Sequence, residues 1–150
     1  MEALIEADKV ISAFNKKGTE TADKLAELVT RISGVYQANI MREAPVNKNT
    51  YDKGHGGQLK SSIRVEDISP LEARVFQDEH VAKYAKWVLG GRGPVFPKKK
   101  KALFWPGLAH PVPRAGPAPA NPFWDRGIRR SQSEKKEAIN EFEQWLKEIG

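Results

Sequence analysis

The feature that most constrains this chain is a run of apolar residues at helical spacing. Leu25, Leu28, Val29, Ile32, Val35, Tyr36 and Ile40 recur every three or four positions over more than four turns. No other periodic signal in the 150 residues is as strong. A first stripe precedes it, with Leu4, Ala7, Ile11 and Phe14 on one helical face. Lys17-Gly18 is expected to end that first helix, since glycine commonly follows a helix C-terminus. Thr19 or Thr21 then caps the second, with Glu20 and Asp23 in its first turn. Gly34 weakens this second helix slightly or lets a neighbour approach closely. Pro45 stops it by Ala44, because the residue before a proline is pushed out of the helical region.

Residues 44–57 read as loop, dense in Asn, Asp and Gly. Over 58–89 the pattern changes to sheet. Leu59, Ser61, Ile63 and Val65 alternate with Lys60, Ser62, Arg64 and Glu66, and a turn follows at Ser69-Pro70. Ala73, Val75 and Gln77 alternate with Arg74, Phe76 and Asp78, giving a second strand that pairs with the first as a hairpin. His80 to Leu89 fits a helical stripe through Val81, Tyr84, Ala85 and Val88, and Tyr84 to Leu89 fits an edge strand equally well. Residues 90–120 are a long basic loop rich in Pro and Gly, with one short strand expected at ALFW. From 121 to 150 a last helix is expected, opened by Asn121 as cap and Pro122 at its first position. Ala138, Phe142, Trp145 and Ile149 share its apolar face.

Charge is uneven. Met1 to Glu43 holds six Lys/Arg against seven Asp/Glu, Ala44 to Ala120 thirteen against six, and Asn121 to Gly150 six against six. The middle therefore carries the excess behind the net charge of +6, which suits a solvated face, an acidic partner or nucleic acid. Cysteine is absent, so thiol catalysis and Cys-ligated metal are excluded. No apolar run approaches the roughly 20 residues of a membrane helix. The acidic start, MEALIEADKV, lacks the basic region of a signal peptide, so synthesis and work in a cytosol are expected.

Catalytic chemistry finds little support. His55, His80 and His110 stand in separate segments, and none belongs to HExxH or to a zinc-spaced pair. Gly54-His55-Gly56-Gly57 before Lys60-Ser61 misses the phosphate-loop spacing and follows a helix rather than a strand. No GxSxG occurs. Asp78-Glu79-His80 reads better as a tight acidic turn than as the start of a metal site. No enzyme activity, cofactor or metal is expected. Lys98, Lys99, Lys100 and Lys101, with Phe96, Phe104 and Trp105 nearby, form the best nucleic-acid candidate. The same aromatics read better as core or interface anchors, since no RNA- or DNA-binding module pattern is present, and the Phe123-Trp124 pair reads better as packing at a helix start.

Three pieces in order carry a resemblance. Ala44-Pro45-Val46, a polar loop, and Gly57-Gln58-Leu59-Lys60-Ser61-Ser62-Ile63 resemble the "APVdTGxLrxSI" segment of a bacteriophage tail-component family, the small neck or tail-completion proteins. Tyr84-Ala85-Lys86-Trp87-Val88-Leu89-Gly90-Gly91 resembles its "YAxyvEfGt" segment, and Pro119-Ala120-Asn121-Pro122-Phe123-Trp124 its "PaxPFlrPA" segment before a final helix. The chain departs from the pattern in its NKNTYDKGHG insertion, in Leu89 where the family has Glu, and in a longer, more basic 90–120.

The resemblance implies an α+β fold, with two N-terminal helices and a C-terminal helix packed on a small, mostly antiparallel sheet with long loops. The length of 150 residues suits a single domain over 1–150, and the resemblance implies that it acts in the virion neck or tail and assembles in the bacterial host cytoplasm. The partners it implies are copies of itself in a ring, often sixfold, and the adjacent connector, tail-terminator or tail-tube proteins, with no membrane. A ring that DNA passes through would bring some basic residues near phosphates without sequence readout. The expected contact arms are the loops holding Asn49, Tyr51, Lys53 and His55, and Arg92 with Lys98–Lys101. Phe104, Trp105, Phe123 and Trp124 are the expected anchors in core or interface, while Leu25, Leu28, Ile32 and Tyr36 pack on the strands. A small basic nucleic-acid-binding module is the alternative.

Overall fold

The computed structural model describes residues 2–46, 57–105 and 108–150, the first thirteen of them by backbone alone. One long helix, α1 (Glu2–Glu43), dominates. A single helical turn α2 (Gln58–Ser61), strands β1 (Ile63–Ser69) and β2 (Glu72–Gln77), a short helix α3 (Ala85–Gly90) and a second long helix α4 (Phe123–Ile149) follow. The architecture is mixed, with long helices from the two end regions and a two-stranded antiparallel sheet.

The expected break at Lys17-Gly18 does not occur, and α1 runs on as one helix of 42 residues, roughly 63 Å at 1.5 Å per residue. One interior glycine costs about 1 kcal/mol, which a long packed helix absorbs. Thr19 and Thr21 do not cap a second helix. Their hydroxyls donate back to the carbonyls of Asn15 (3.0 Å) and Lys17 (2.8 Å), four residues upstream, and stay within the ladder. The helix does end at Glu43, just ahead of Pro45.

Helix α4 packs antiparallel on α1. Going up α1, Lys17 donates to the Ile149 carbonyl, Arg31 pairs with Glu141, Asn39 with Ser131, and Glu43 with Arg126 and Arg130. The helices approach closely at Gly127, where a Cβ would stand 2.5 Å from the Ile40 Cα. Gly34, the glycine expected to admit a neighbour, faces open space. Beside the crossing, Asn39 Nδ2 donates to Ser131 Oγ (3.1 Å) and to Glu134 Oε1 (3.1 Å), and Ser131 Oγ donates to the Gly127 carbonyl (2.8 Å). Hydrogen bonds from Arg126 and then Arg130 hold the Glu43 carboxyl below its usual range. Arg31 does the same to Glu141, and its own pKa is raised in return.

The sheet starts later than the alternation suggests. Leu59 and Ser61 lie in the α2 turn, and β1 begins at Ile63. Leu59, Ser62 and Ile63 are all buried, a helical i, i+3, i+4 spacing that alternation at 59–65 hides. Ser62 Oγ donates to the Leu59 carbonyl (2.7 Å), which holds the turn. From there the hairpin forms as expected, with Ile63 opposite Gln77 and Val65 opposite Val75. Its outer face carries Arg74 paired with Glu66 (2.5 Å) and stacked 5.0 Å from the Phe76 ring centre. The ambiguous stretch before Leu89 resolves as α3.

The core gathers where these pieces meet: Ile40, Ala44, Leu59, Ile63, Ala82, Ala85 and Phe123 are buried together. Tyr36, Val75 and Trp124 pack around them. Leu25 and Leu28 are not part of the core around the strands, although Val29 beside Leu28 lines a groove with Leu71, Glu72 and Ala73 of the hairpin. Both leucines are half-buried, and Leu28 lines a gap against Ala138, Phe142 and Trp145 of α4. Asn121 does not cap α4. Its Oδ1 accepts from Arg126 Nη2 (2.7 Å), and its N–H donates to the Val88 carbonyl (2.8 Å).

Candidate interaction surface

Between α3 and α4 the chain leaves the body and returns as an arm. Three antiparallel bridges hold the two limbs together: Arg92 with Ala118, Val95 with Ala115, and Leu103 with Val112. At each bridge both N–H groups donate across, at 2.7–2.9 Å. The strand expected at ALFW is reduced to the single Leu103 bridge.

The return limb has a period of three. Val112, Ala115, Ala118 and Asn121 are half-buried, and every residue between them is exposed. Three residues per turn is the repeat of a polyproline helix, in which each third backbone group faces the same way. Pro111, Pro113, Pro117 and Pro119 fit such a limb, because none stands at a bridged position. That period is written in the sequence and is missed by a search for periods of 2 and 3.6 alone.

The outgoing limb carries the lysines. Seven residues, 96–102, separate Val95 from Leu103, whereas only two, 113 and 114, separate Val112 from Ala115. The surplus must bulge from the ladder, and Lys98–Lys101 occupy that bulge, all exposed. None of the four forms an ion pair with a described residue. Phe96 beside them is 58% exposed, Phe104 65% and Trp105 43%. Among the described residues from Arg92 to Ala120, none is buried.

The base of the arm is fixed. Gly91 adopts φ +73°, and a Cβ there would sit 2.8 Å from both the Ala118 carbonyl oxygen and the Ala120 nitrogen. Arg92 Nη1 donates to the Gly116 carbonyl at 3.1 Å. Arg92 is therefore a brace for the arm as well as a surface cation.

The remaining expected residues divide. Phe123 is fully buried, edge-on to Trp124 with ring centres 6.5 Å apart, so it anchors the core and cannot face a partner. Trp124 lines an apolar groove of about 470 Å³ between α1, β2 and α4, with Val29, Ile32, Leu71 and Ile128 among the walls. Ile68 and Leu71 at the hairpin tip are more than half exposed beside it. Asn49, Tyr51, Lys53 and His55 lie outside the described residues. Trp87, missed as a site residue, is 52% exposed on α3 with Lys86 Nζ 5.2 Å from its ring centre.

The acidic turn is structural. Asp78 accepts from the His80 N–H (2.9 Å) and pairs with Arg64 (3.4 Å), and among the described residues no group of three His, Cys, Asp or Glu is placed to hold a metal. Among those residues, too, no helix is long and apolar enough to cross a membrane. No protein-family model, curated protein or solved structure matches the chain.

Proposed function

We infer that this chain is a structural protein of a tailed-phage virion, a tail-completion or head–tail connector component. It assembles with copies of itself into a ring and meets adjoining connector, tail-terminator or tail-tube proteins. The motif order at Ala44–Ile63, Tyr84–Gly91 and Pro119–Trp124 suggests this reading, and one observation carries it. The arm between Gly91 and Ala120 exposes Phe96, Phe104 and Trp105 while covering no described residue of its own.

Exposed apolar side chains gathered on one segment, rather than scattered singly, favour a protein-binding surface. Aromatic residues are also the commonest anchors of such surfaces, because a rigid ring buries much area for little lost side-chain entropy. The exposed Ile68 and Leu71 at the hairpin tip, beside the groove, offer a second surface on the same molecule. Two different adhesive surfaces on one chain suit head-to-tail contacts, which close into a ring where the rotation between neighbours divides a full turn.

Mass photometry and negative-stain imaging of the full chain, alone and with its tail-tube or terminator partner, test the reading. A ring of defined stoichiometry is the expected result. A Phe104→Ser, Trp105→Ser double variant should fold normally and fail to assemble. A chain that stays monomeric in every mixture overturns the reading.

A further inference from the structure

The arm's charge is not spread over the molecule. Residues 90–120 hold six Lys/Arg and no Asp or Glu, which leaves 19 of each sign for the rest of the chain. The whole net charge of +6 therefore sits on the arm, and the body is neutral. A neutral body gives another copy of this chain no net attraction for the lysines. Four of the six cations are consecutive, exposed and pushed out of the ladder at Lys98–Lys101.

We propose that the Lys98–Lys101 bulge is a sequence-independent contact for the phosphate backbone of duplex nucleic acid, separate from the aromatic docking surface on the same arm. The case is one of charge density. Four consecutive residues span at most about 10 Å. Duplex DNA presents one charge per roughly 1.7 Å of axis, or about six over that length, twice the density of one strand. A line of point charges on flexible stems matches such a backbone and releases its condensed counterions. It has none of the planar, bidentate donors that base reading or specific carboxylate recognition uses. The bulge also frees the lysines from ladder geometry, so their side chains can follow a backbone of any sequence.

This inference uses the arm as the contact element of the reading above and assigns its lysines a partner of their own. It is tested on the full chain by fluorescence anisotropy, with a 30-base-pair duplex and a single strand of equal length, titrated with salt. The duplex should bind more tightly than the single strand, and its affinity should fall roughly a hundredfold between 50 and 200 mM salt if four phosphates are neutralised. Changing Lys98–Lys101 to Ala should reduce the slope of log K against log salt by about 3 to 4. Phe96→Ala with Phe104→Ala is measured beside it with both probes, to read any contribution from base stacking.

Duplex affinity unchanged in the lysine variant overturns the proposal. So does a preference for single strand that is lost in the Phe variant, since that is base stacking. Binding to polyglutamate but not to duplex overturns it in favour of an acidic protein surface. Assembly of the lysine variant, measured separately by mass photometry, shows whether only this inference fails or the connector reading with it.

Discussion

Gly127→Ala tests the packing that holds the two long helices together. In an exposed helix the change would stabilise by about 1 kcal/mol. Here the new methyl would lie 2.5 Å from the Ile40 Cα and 2.7 Å from its Cγ1, whereas carbon atoms pack at about 3.5–4.0 Å. The helices must part by about 1 Å at a residue that is 1% exposed. Overpacking of this kind costs about 1–3 kcal/mol. Parting also stretches the 3.1 Å Asn39–Ser131 hydrogen bond past its useful range, leaving two buried polar groups short of a partner, for about 1–3 kcal/mol more. Against the propensity gain the net loss is about 3 kcal/mol. At 2–4 °C per kcal/mol for a chain of this size, Tm should fall by about 6–12 °C. Thermal unfolding followed by circular dichroism measures it, with a urea midpoint at unchanged m as the check. Gly34→Ala is the control: it faces open space on α1 and should gain about 0.5–1 kcal/mol. A Gly127→Ala protein as stable as the parent, alongside a stabilised Gly34→Ala, would refute the close crossing.

Three further outcomes follow from the same geometry. Phe123→Ala should lose about 3–5 kcal/mol as a buried aromatic, while Phe104→Ala should stay within about 0.5 kcal/mol, both read from urea unfolding. Glu43 titrates in the folded state below its unfolded value of about 4.3, so its contribution is complete above that pH and is lost as pH falls through the lower folded pKa. Melting temperature should therefore drop below about pH 4, and the drop should be shallower in Glu43→Gln. Gly91→Val forces a branched side chain into φ +73° against the returning limb, so limited proteolysis should cut the arm faster while helical content is unchanged.

The sequence announces elements better than it announces junctions. Helix α4 is legible from its hydrophobic period, and the hairpin and the stop before Pro45 from period and turn chemistry together. The break expected at Gly18 rests on a lone glycine and two threonines, which look like a boundary. Only the threonine hydroxyls, turned back to carbonyls four residues earlier, show that the helix continues. Leu59–Ser61 alternates by accident, since Leu59, Ser62 and Ile63 also satisfy a helical turn. The helix crossing left a fainter signal, the small residues Gly127, Ser131 and Ala138 on one face of α4, all buried. At the candidate surface the lysines and the Phe104-Trp105 pair were visible as composition. Phe123 is core because it opens α4 against α1, while Phe104 follows an arm bridge and is exposed, and no period in the sequence separates the two.

The arm poses a physical problem that its composition answers. Ordering a backbone costs conformational entropy, which a buried segment offsets by packing. The three bridges supply six hydrogen bonds, each contributing net about 1 kcal/mol, and no described residue of the arm is buried to add more. The remedy lies in the unfolded chain. Pro94, Pro97, Pro106, Pro111, Pro113, Pro117 and Pro119 each fix one backbone angle in advance, so less freedom is lost when the arm takes shape. Its base is pinned where Gly91 meets Ala118 and where Asn121 bonds to Val88. An arm pre-shaped in this way gives up less entropy when a partner covers it, which is what tight docking through a few aromatic side chains requires. Replacing those prolines by alanine should leave the body's stability unchanged and weaken only partner binding. A body destabilised in step would mean that the arm belongs to the core and not to an interface.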